Sequence, residues 1–312
     1  MQTILGAGGA IGTELAKALS AYTSDIRLVS RNPKKVNPGD SLHPADLTDA
    51  AQVIKAVEGA EVVYLTVGLD YKTKVWQATW PPLMRNVLDA CAAHGSKLVF
   101  FDNVYMIGGD NVRHITETSP ISPVSKKGQV RAQLDRMILE DVEKGRLHAI
   151  IARAADFYGL VVDRSVIMET VYKNLLKDKT AQWFCNAQVK HSFTYTPDAG
   201  KGTAILGNTP DAYDQVWNLP THSDALTGQQ WVQLFAECMG KTNTKVQVLP
   251  KWALGLLGIF VPIMKEFHEM AYQYDRDYVF DSSKFNKRFD FKPTTPKDGV
   301  LATLKAISQV PA

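Results

Sequence analysis

Four glycines near the amino terminus, Gly6, Gly8, Gly9 and Gly12, stand in the run Ile4-Leu-Gly-Ala-Gly-Gly-Ala-Ile-Gly12. Without Cβ atoms the chain can turn tightly there, and a phosphate can approach backbone N–H groups and the positive end of a helix. Gly6, Gly9 and Gly12 satisfy G-x-x-G-x-x-G. Ala10 and Ile11 precede Gly12, and Ile11 stands where G-x-G-x-x-G needs its third glycine. A second candidate group is Arg31, after Ser30, with Lys34 and Lys35 close behind. An acid at about that distance beyond the glycines would bond the ribose 2′-hydroxyl of NAD and repel a 2′-phosphate. None is present, and Arg31, helped by Lys34 or Lys35, suits the phosphate of NADP. NADP is therefore the expected cofactor, with NAD as the alternative. The competing readings are a glycine turn that binds nothing and cations that are only a solvated surface.

These groups need a strand, a turn and a helix to hold them. An apolar run leads into Gly6, and Thr13 to Ser20 carries helical spacing, with Ile11, Leu15 and Leu19 on one face. Ile26 to Ser30 reads as a second strand, Ala50 to Val57 as a helix, and Val62 to Val67 as a strand ending at Gly68. A long helix is expected from Trp76 to Gly95, with Pro81-Pro82 as an interruption or a new start. Trp76 and Trp80, four apart, read as core or interface. Lys97 to Phe101 and Ala149 to Ala152 are further strands. Strands alternating with helices of these lengths imply an α/β fold with a doubly wound parallel sheet.

The glycine spacing, together with Arg153-Ala-Ala-Asp-Phe-Tyr-Gly159 and the closing stretches Val279 to Lys284 and Phe291 to Gly299, resembles the extended short-chain dehydrogenase/reductases, the NAD-dependent epimerase/dehydratase family. That resemblance implies a Rossmann fold with a smaller C-terminal α/β substrate lobe. It assigns Asp46 and Leu47 to the adenine, and Thr66, Val67 and Gly68 to the adenosine ribose. Ala155, Asp156, Phe157 and Tyr158 are assigned to the nicotinamide carboxamide, although Ala154 and Leu160 replace the family's prolines. A bottom-up alternative makes Asp46 the cap of the following helix and Tyr158-Gly159 a turn.

The chain departs from the family where chemistry is done. The family's Ser-Ser-x-x-x-Tyr-Gly segment here reads Asp102-Asn-Val-Tyr-Met-Ile-Gly108, so that Asn103, or else Asp102, stands for the substrate-holding hydroxyl. An Asn amide can still donate to a carbonyl oxygen. The Tyr-Gly-x-x-Lys-Ala-x-x-Glu helix becomes Lys127-Gly-Gln-Val-Arg-Ala-Gln-Leu-Asp135, with Lys127 for Tyr and Arg131 for Lys. At i, i+4 these two cations share a helix face. A lysine crowded by a guanidinium is a candidate to exchange a proton with an alcohol or ketone, and Arg131 to bond ribose hydroxyls. Tyr105 is the alternative proton donor, if strand alternation leaves it facing the site. The opposite reading is two cations on a solvated face.

Residues 1–160 are expected to form the dinucleotide-binding domain, with return segments near 192–220, and 161–312 mainly the substrate lobe. Val166 to Leu176, Thr227 to Met239 and Val300 to Ile307 read as helices, and Val216 to Leu219 as a last strand. A net charge of +3 with intermixed signs makes nucleic acid a poor partner. Cys91, Cys185 and Cys238 lack metal-ligand spacing, the seven histidines are scattered, and no metal is expected. A reducing cytoplasm suits the three thiols, and no secretory signal is read before the first strand. The longest uncharged apolar run, Trp252 to Met264, is short of the roughly 20 residues that span a bilayer. No membrane partner is expected, and that run is expected to be buried or to line a pocket with Tyr272, Tyr274 and Tyr278. The resulting function is NADP-dependent oxidoreduction or epimerisation/dehydration of a small carbonyl or sugar-like molecule. The alternative is a non-catalytic NADP-binding redox sensor. A homodimer is compatible with either.

Overall fold

The computed structural model describes residues 1–160 and 165–309. In chain order the strands are β1 (Gln2–Leu5), β2 (Ile26–Ser30), β3 (Ser41–Pro44), β4 (Val62–Leu65), β5 (Lys97–Asp102), β6 (Ala149–Arg153), β7 (Asp156–Tyr158), β8 (Ala181–Phe184), β9 (Phe193–Tyr195), β10 (Gln215–Asn218) and β11 (Val246–Leu249). The helices are α1 (Ala10–Leu19), α2 (Ala50–Val57), α3 (Thr73–His94), α4 (Lys126–Glu143), α5 (Lys173–Leu176), α6 (Thr196–Gly207), α7 (Gly228–Cys238), α8 (Lys251–Leu257), α9 (Pro262–Glu269), α10 (Ser283–Arg288) and α11 (Pro296–Ser308).

Two units emerge. The first comprises 1–106, 126–154 and 199–219, and the second 107–125, 155–198 and 220–309 among the described residues. This differs from a first domain running unbroken to residue 160. Residues 107–125 leave it because Ile115 N–H donates to the Val279 carbonyl at 2.7 Å and Asp281 N–H to the Ile115 carbonyl at 2.9 Å. The expected boundary after residue 160 borders 161–164, which lie outside the described residues.

The first unit holds a seven-stranded sheet of order β10-β6-β5-β4-β1-β2-β3, parallel throughout. Its central strands β4, β5 and β6 are buried and mostly apolar on both faces, as a sheet covered by helices on both sides requires, while the edge strand β3 is largely exposed. Val53 of α2, Trp80 and Val87 of α3, and Leu134 and Ile138 of α4 share one core with Leu5, Leu65, Phe100 and Ile151 of the strands. On α6, Gly200 lets its backbone come against Glu14 of α1, since a Cβ there would lie 2.7 Å from the Glu14 carbonyl carbon. Strand order reverses between β1 and β4, and the carboxyl ends of those strands are where ligands bind in such sheets.

The prolines do not interrupt α3, which runs unbroken through Pro81 and Pro82 to the left-handed Gly95. The carbonyls they release belong to Gln77 and Ala78, exposed residues that water can serve. β4 stops at Leu65, two residues short of the expected end, because β1 turns away at Gly6 and offers Val67 no ladder partner.

The second unit carries two small parallel pairs, β8 with β11 and β7 with β9. Its core gathers Trp183, Phe184, Phe193, Trp231 and Phe235 with Tyr158 and Tyr172. Thr227 opens α7 with a reciprocal capping box to Gln230. The stretch expected over Val166 to Leu176 is a π-helical turn, Met168–Tyr172, running into α5. Tyr272, Tyr274 and Tyr278 are buried. Trp252 to Met264 is not: apart from Leu254, most of its apolar side chains are exposed.

Candidate active site and cofactor loop

The turn between β1 and α1 is built as a phosphate cradle would be. Gly6 and Gly8 have φ of +96° and +93°, a region that side chains disfavour. A Cβ on Gly6 would lie 2.7 Å from the Val67 nitrogen, and one on Gly12 3.0 Å from the Gly6 carbonyl oxygen. At Gly8 a Cβ would meet nothing within 4 Å, so this side of the loop is open. Gly9 is the N-cap of α1 and offers no side chain to the first-turn N–H groups, which a helix cannot satisfy internally. These residues fit a pyrophosphate group.

Arg31 is exposed just past β2, and its charge helps hold the Asp46 carboxyl below the usual carboxylate range, after the larger effect of hydrogen bonds from Thr48. Asp46 does not cap α2; Asp49 does, accepting from the N–H groups of Ala51 and Gln52. Leu47 is buried, and its carbonyl accepts from the Asn86 amide at 3.2 Å. Thr66 is buried beside Gly12, while Val67 is half-buried and Gly68 exposed.

β5 ends at Asp102, and the chain then makes a turn rather than continuing as a strand, so strand alternation does not govern Tyr105. Asp102 Oδ1 accepts from the Asn103 N–H at 2.8 Å, and Asn103 Oδ1 from the Tyr105 N–H at 3.0 Å. With its amide oxygen so engaged, Asn103 presents its NH2 group as a donor. The Tyr105 hydroxyl lies 3.3 Å from that of Tyr71, and its ring stacks on Trp76 at 6.0 Å.

Lys127 is 0% exposed, with Nζ 4.6 Å from the centroid of the Tyr71 ring. Neither cation lies on a solvated face. Arg131, read above as a ribose ligand, is turned inward: its guanidinium lies 4.3 Å from the Trp80 ring centroid and 4.8 Å from that of Trp76. Its Nη1 is 3.1 Å from Asp102 Oδ1, and on the same buried layer Arg153 Nη2 is 2.6 Å from Asp135 Oδ2. Two carboxylates thus face two guanidiniums at the ends of β5 and β6. Burial pushes the Asp102 carboxyl well above the usual range; Arg131 opposes the shift and Asp135 adds to it. The physical reason for Arg131's placement is the aromatic face that α3 presents, a good seat for a weakly hydrated planar cation.

In the second unit, Ala155 N–H donates to Thr194 Oγ1 at 3.0 Å, and Asp156–Tyr158 pair with Phe193–Tyr195. Asp156 Oδ2 receives the Tyr274 hydroxyl at 2.6 Å and lies 3.0 Å from His191 Nε2. The Phe157 carbonyl accepts from Ser165. Tyr158 is buried, and burial raises its phenol above the ordinary value. Sequence reasoning missed Tyr71 beside Lys127, and His191 and Tyr274 around Asp156. Separations of 34 residues between Tyr71 and Tyr105, and of 118 between Asp156 and Tyr274, left no local signal.

Comparison with known proteins extends these findings. The model of the NAD dependent epimerase/dehydratase family matches residues 3–219. The uncharacterized UDP-glucose epimerase YtcB of Bacillus subtilis (strain 168) is 22% identical over 165 residues, 50% of this chain and 52% of that one. The match thus spans about half the length of that curated relative. Among solved structures, UDP-glucose 4-epimerase of Thermus thermophilus in complex with NAD superposes with a TM-score of 0.79 at 17% identity, covering 99% of each chain. A double mutant of DesIV, a dTDP-glucose 4,6-dehydratase from Streptomyces venezuelae with NAD and DAU bound, gives a TM-score of 0.78 at 16% identity over 99% of this chain and 97% of that one. At these identities the likeness is one of fold.

Proposed function

This chain belongs to the NAD dependent epimerase/dehydratase family, and from that premise we propose that it is a nicotinamide-dependent epimerase, dehydratase or oxidoreductase acting on a sugar nucleotide or a related small carbonyl compound. The observation that carries the reading is the β1–α1 turn, where side chains are excluded at Gly6 and Gly12 and the approach at Gly8 is open. Gly6, Gly8, Gly9, Ala10, Ile11 and Gly12 are assigned to the pyrophosphate, and Arg31 to the 2′-phosphate of NADP. Asp46 and Leu47 are assigned to the adenine, Thr66 to Gly68 to its ribose, and Ala155 to Tyr158 to the nicotinamide. The solved epimerase and dehydratase above carry NAD; the preference for NADP rests on Arg31, helped by Lys34 or Lys35, and on the missing acid after β2.

The bound nicotinamide supplies reversible hydride transfer at a carbon bearing oxygen. Asn103 donates an amide N–H to that oxygen and holds it in place. Tyr105 takes and returns the hydroxyl proton, with the Tyr71 hydroxyl next in line at 3.3 Å. The Lys127 ammonium, over the Tyr71 ring, favours negative charge on these phenol oxygens while the proton is away. Arg131 acts on the site through Asp102, which anchors Asn103. The free cysteines Cys91, Cys185 and Cys238 suit a reducing compartment such as the cytoplasm.

The test is incubation with NADP or NAD and UDP- or dTDP-glucose, resolving the sugar nucleotides by chromatography and following nicotinamide absorbance. Conversion that is lost in Tyr105→Phe and Lys127→Met, with dinucleotide affinity kept within a few fold, is the expected result. Conversion unchanged in both variants overturns the assigned roles. Full burial of Lys127 favours a second reading, cofactor binding without turnover. Tight dinucleotide binding with no conversion across a panel of sugar nucleotides and small carbonyls would select it.

A further inference from the structure

The stretch Trp252 to Met264 carries no charged residue, yet Trp252 is 72%, Ile259 73% and Phe260 79% exposed. Leu256, Leu257, Val261 and Ile263 are exposed as well. These residues form the outer end of a hairpin made by α8, a short turn and α9. Its base is anchored in the second unit: Leu254 is fully buried, Met264 and Phe267 pack on the core, and the Phe267 ring lies 5.0 Å from that of Phe184.

The hairpin is inside out. In water, paired helices turn apolar side chains toward each other. Here the facing positions are glycines. A Cβ on Gly258 would lie 2.9 Å from the Lys265 Cα, and one on Gly255 3.3 Å from the His268 ring. The backbones therefore meet closely through small residues, as helices do in lipid, and large apolar groups are left around the outside.

We propose that this hairpin tip inserts shallowly into the interfacial layer of a phospholipid bilayer and holds the protein peripherally on a membrane. A standard protein interface engages about 20–30 residues a side over matching surfaces, whereas this projection offers a handful of exposed apolar side chains. A bilayer requires no such match. Lys251 and Lys265 flank the uncharged run at its two ends; Lys265 is suited to a lipid phosphate, Lys251 can exchange its 3.7 Å pairing with Asp275 for one, and Trp252 is the amphipathic ring favoured at headgroup depth. Attachment is to one surface, since no helix of the described residues is long and apolar enough to cross. Shallow insertion runs against the expectation of no membrane partner, which was drawn from the run being too short to span a bilayer.

The experiment is cosedimentation of the full chain with vesicles of phosphatidylcholine, with and without phosphatidylserine. Wild type is expected to pellet with vesicles. Ile259→Ser/Phe260→Ser should weaken partitioning by at least about 30-fold with little change in melting temperature, and Lys251→Glu/Lys265→Glu should remove the gain from phosphatidylserine. Quenching of indole fluorescence by brominated lipid, lost in Trp252→Phe, reads insertion in otherwise native protein and decides the matter even if the double serine variant misfolds. Absence of pelleting and quenching at both compositions overturns the proposal. So does lipid-free dimerisation that the double serine variant abolishes, because the tip then meets a second copy.

Discussion

Gly6→Ala and Gly8→Ala separate what the glycine turn does for the fold from what it does for a ligand. Both residues have φ near +95° (+96° and +93°), so each substitution carries similar backbone strain, about 2 kcal/mol. They differ in surroundings. The new methyl at position 6 would sit 2.7 Å from the Val67 nitrogen, and that at position 8 would touch nothing within 4 Å. Overpacking against backbone adds about 2 kcal/mol to the first variant only. At roughly 3 °C per kcal/mol for a unit of this size, Gly8→Ala should lower the melting temperature by roughly 6 °C and Gly6→Ala by roughly 12 °C. Ligand affinity should not follow the same order. The position 8 methyl projects into the space assigned to the pyrophosphate, so calorimetry on folded Gly8→Ala at low temperature should show NADP weakened by at least about tenfold, equivalent to ~1.4 kcal/mol. Undiminished affinity in Gly8→Ala refutes the reasoning, because the open side of the loop would then be no cradle.

Other expectations follow from the same geometry. Calorimetry should show NADP bound more tightly than NAD, and Arg31→Asp should reverse the order by about 10–100-fold, the worth of a charge-assisted contact; an unchanged order removes Arg31 from the cofactor site. Arg131→Met leaves the Asp102 carboxyl buried without its guanidinium and should destabilise, more at alkaline pH, where that carboxyl ionises, than at acidic pH, read by denaturant unfolding. The raised carboxyl of Asp102 adds stability that is complete at acidic pH and is lost as pH rises through its shifted value. The melting temperature of wild type relative to Asp102→Asn should therefore fall as the pH is raised from about 4, and a rising difference contradicts that sign. Burial pushes the Cys91 thiol up to about 12 and the Cys185 thiol to about 11. Alkylation at mildly alkaline pH, followed by mass spectrometry, should label Cys238 first and leave Cys91 untouched until the protein unfolds.

The sheet was largely legible in the chain because its central strands are apolar runs; the exposed edge strand β3, Ser41–Pro44, carries no such run and was not legible. β2 and α2 lie where alternation and periodicity put them. α3 was expected as a long helix with its two prolines as an interruption or a new start, but it runs through both, and burial of Trp80 and Met84 on either side outweighs the two lost hydrogen bonds. Cofactor-loop chemistry was legible because glycine spacing is a local property of the backbone. The reaction end was not. Whether Arg131 reaches outward or folds inward depends on Trp76, Trp80 and Phe100, which surround it from 55, 51 and 31 positions earlier in the sequence. Trp252 to Met264 misled for another reason. Composition reports how apolar a stretch is, but not that glycines have taken its inward positions.

Each unit is assembled from three separate stretches of chain, and this has a consequence for how the protein is made. The glycine turn leaves the ribosome before β10, the strand that closes the far edge of its sheet, which follows some 200 residues later (Gly6 against Gln215). Until then β6 has a bare edge, and the nascent first unit must wait through residues 155–198 of the second before its last strand can dock. Cutting the gene after residue 160 would therefore yield a sheet with an unfinished margin, prone to sticking to its own kind. The half-proteins a simple two-domain picture suggests are poor candidates for expression.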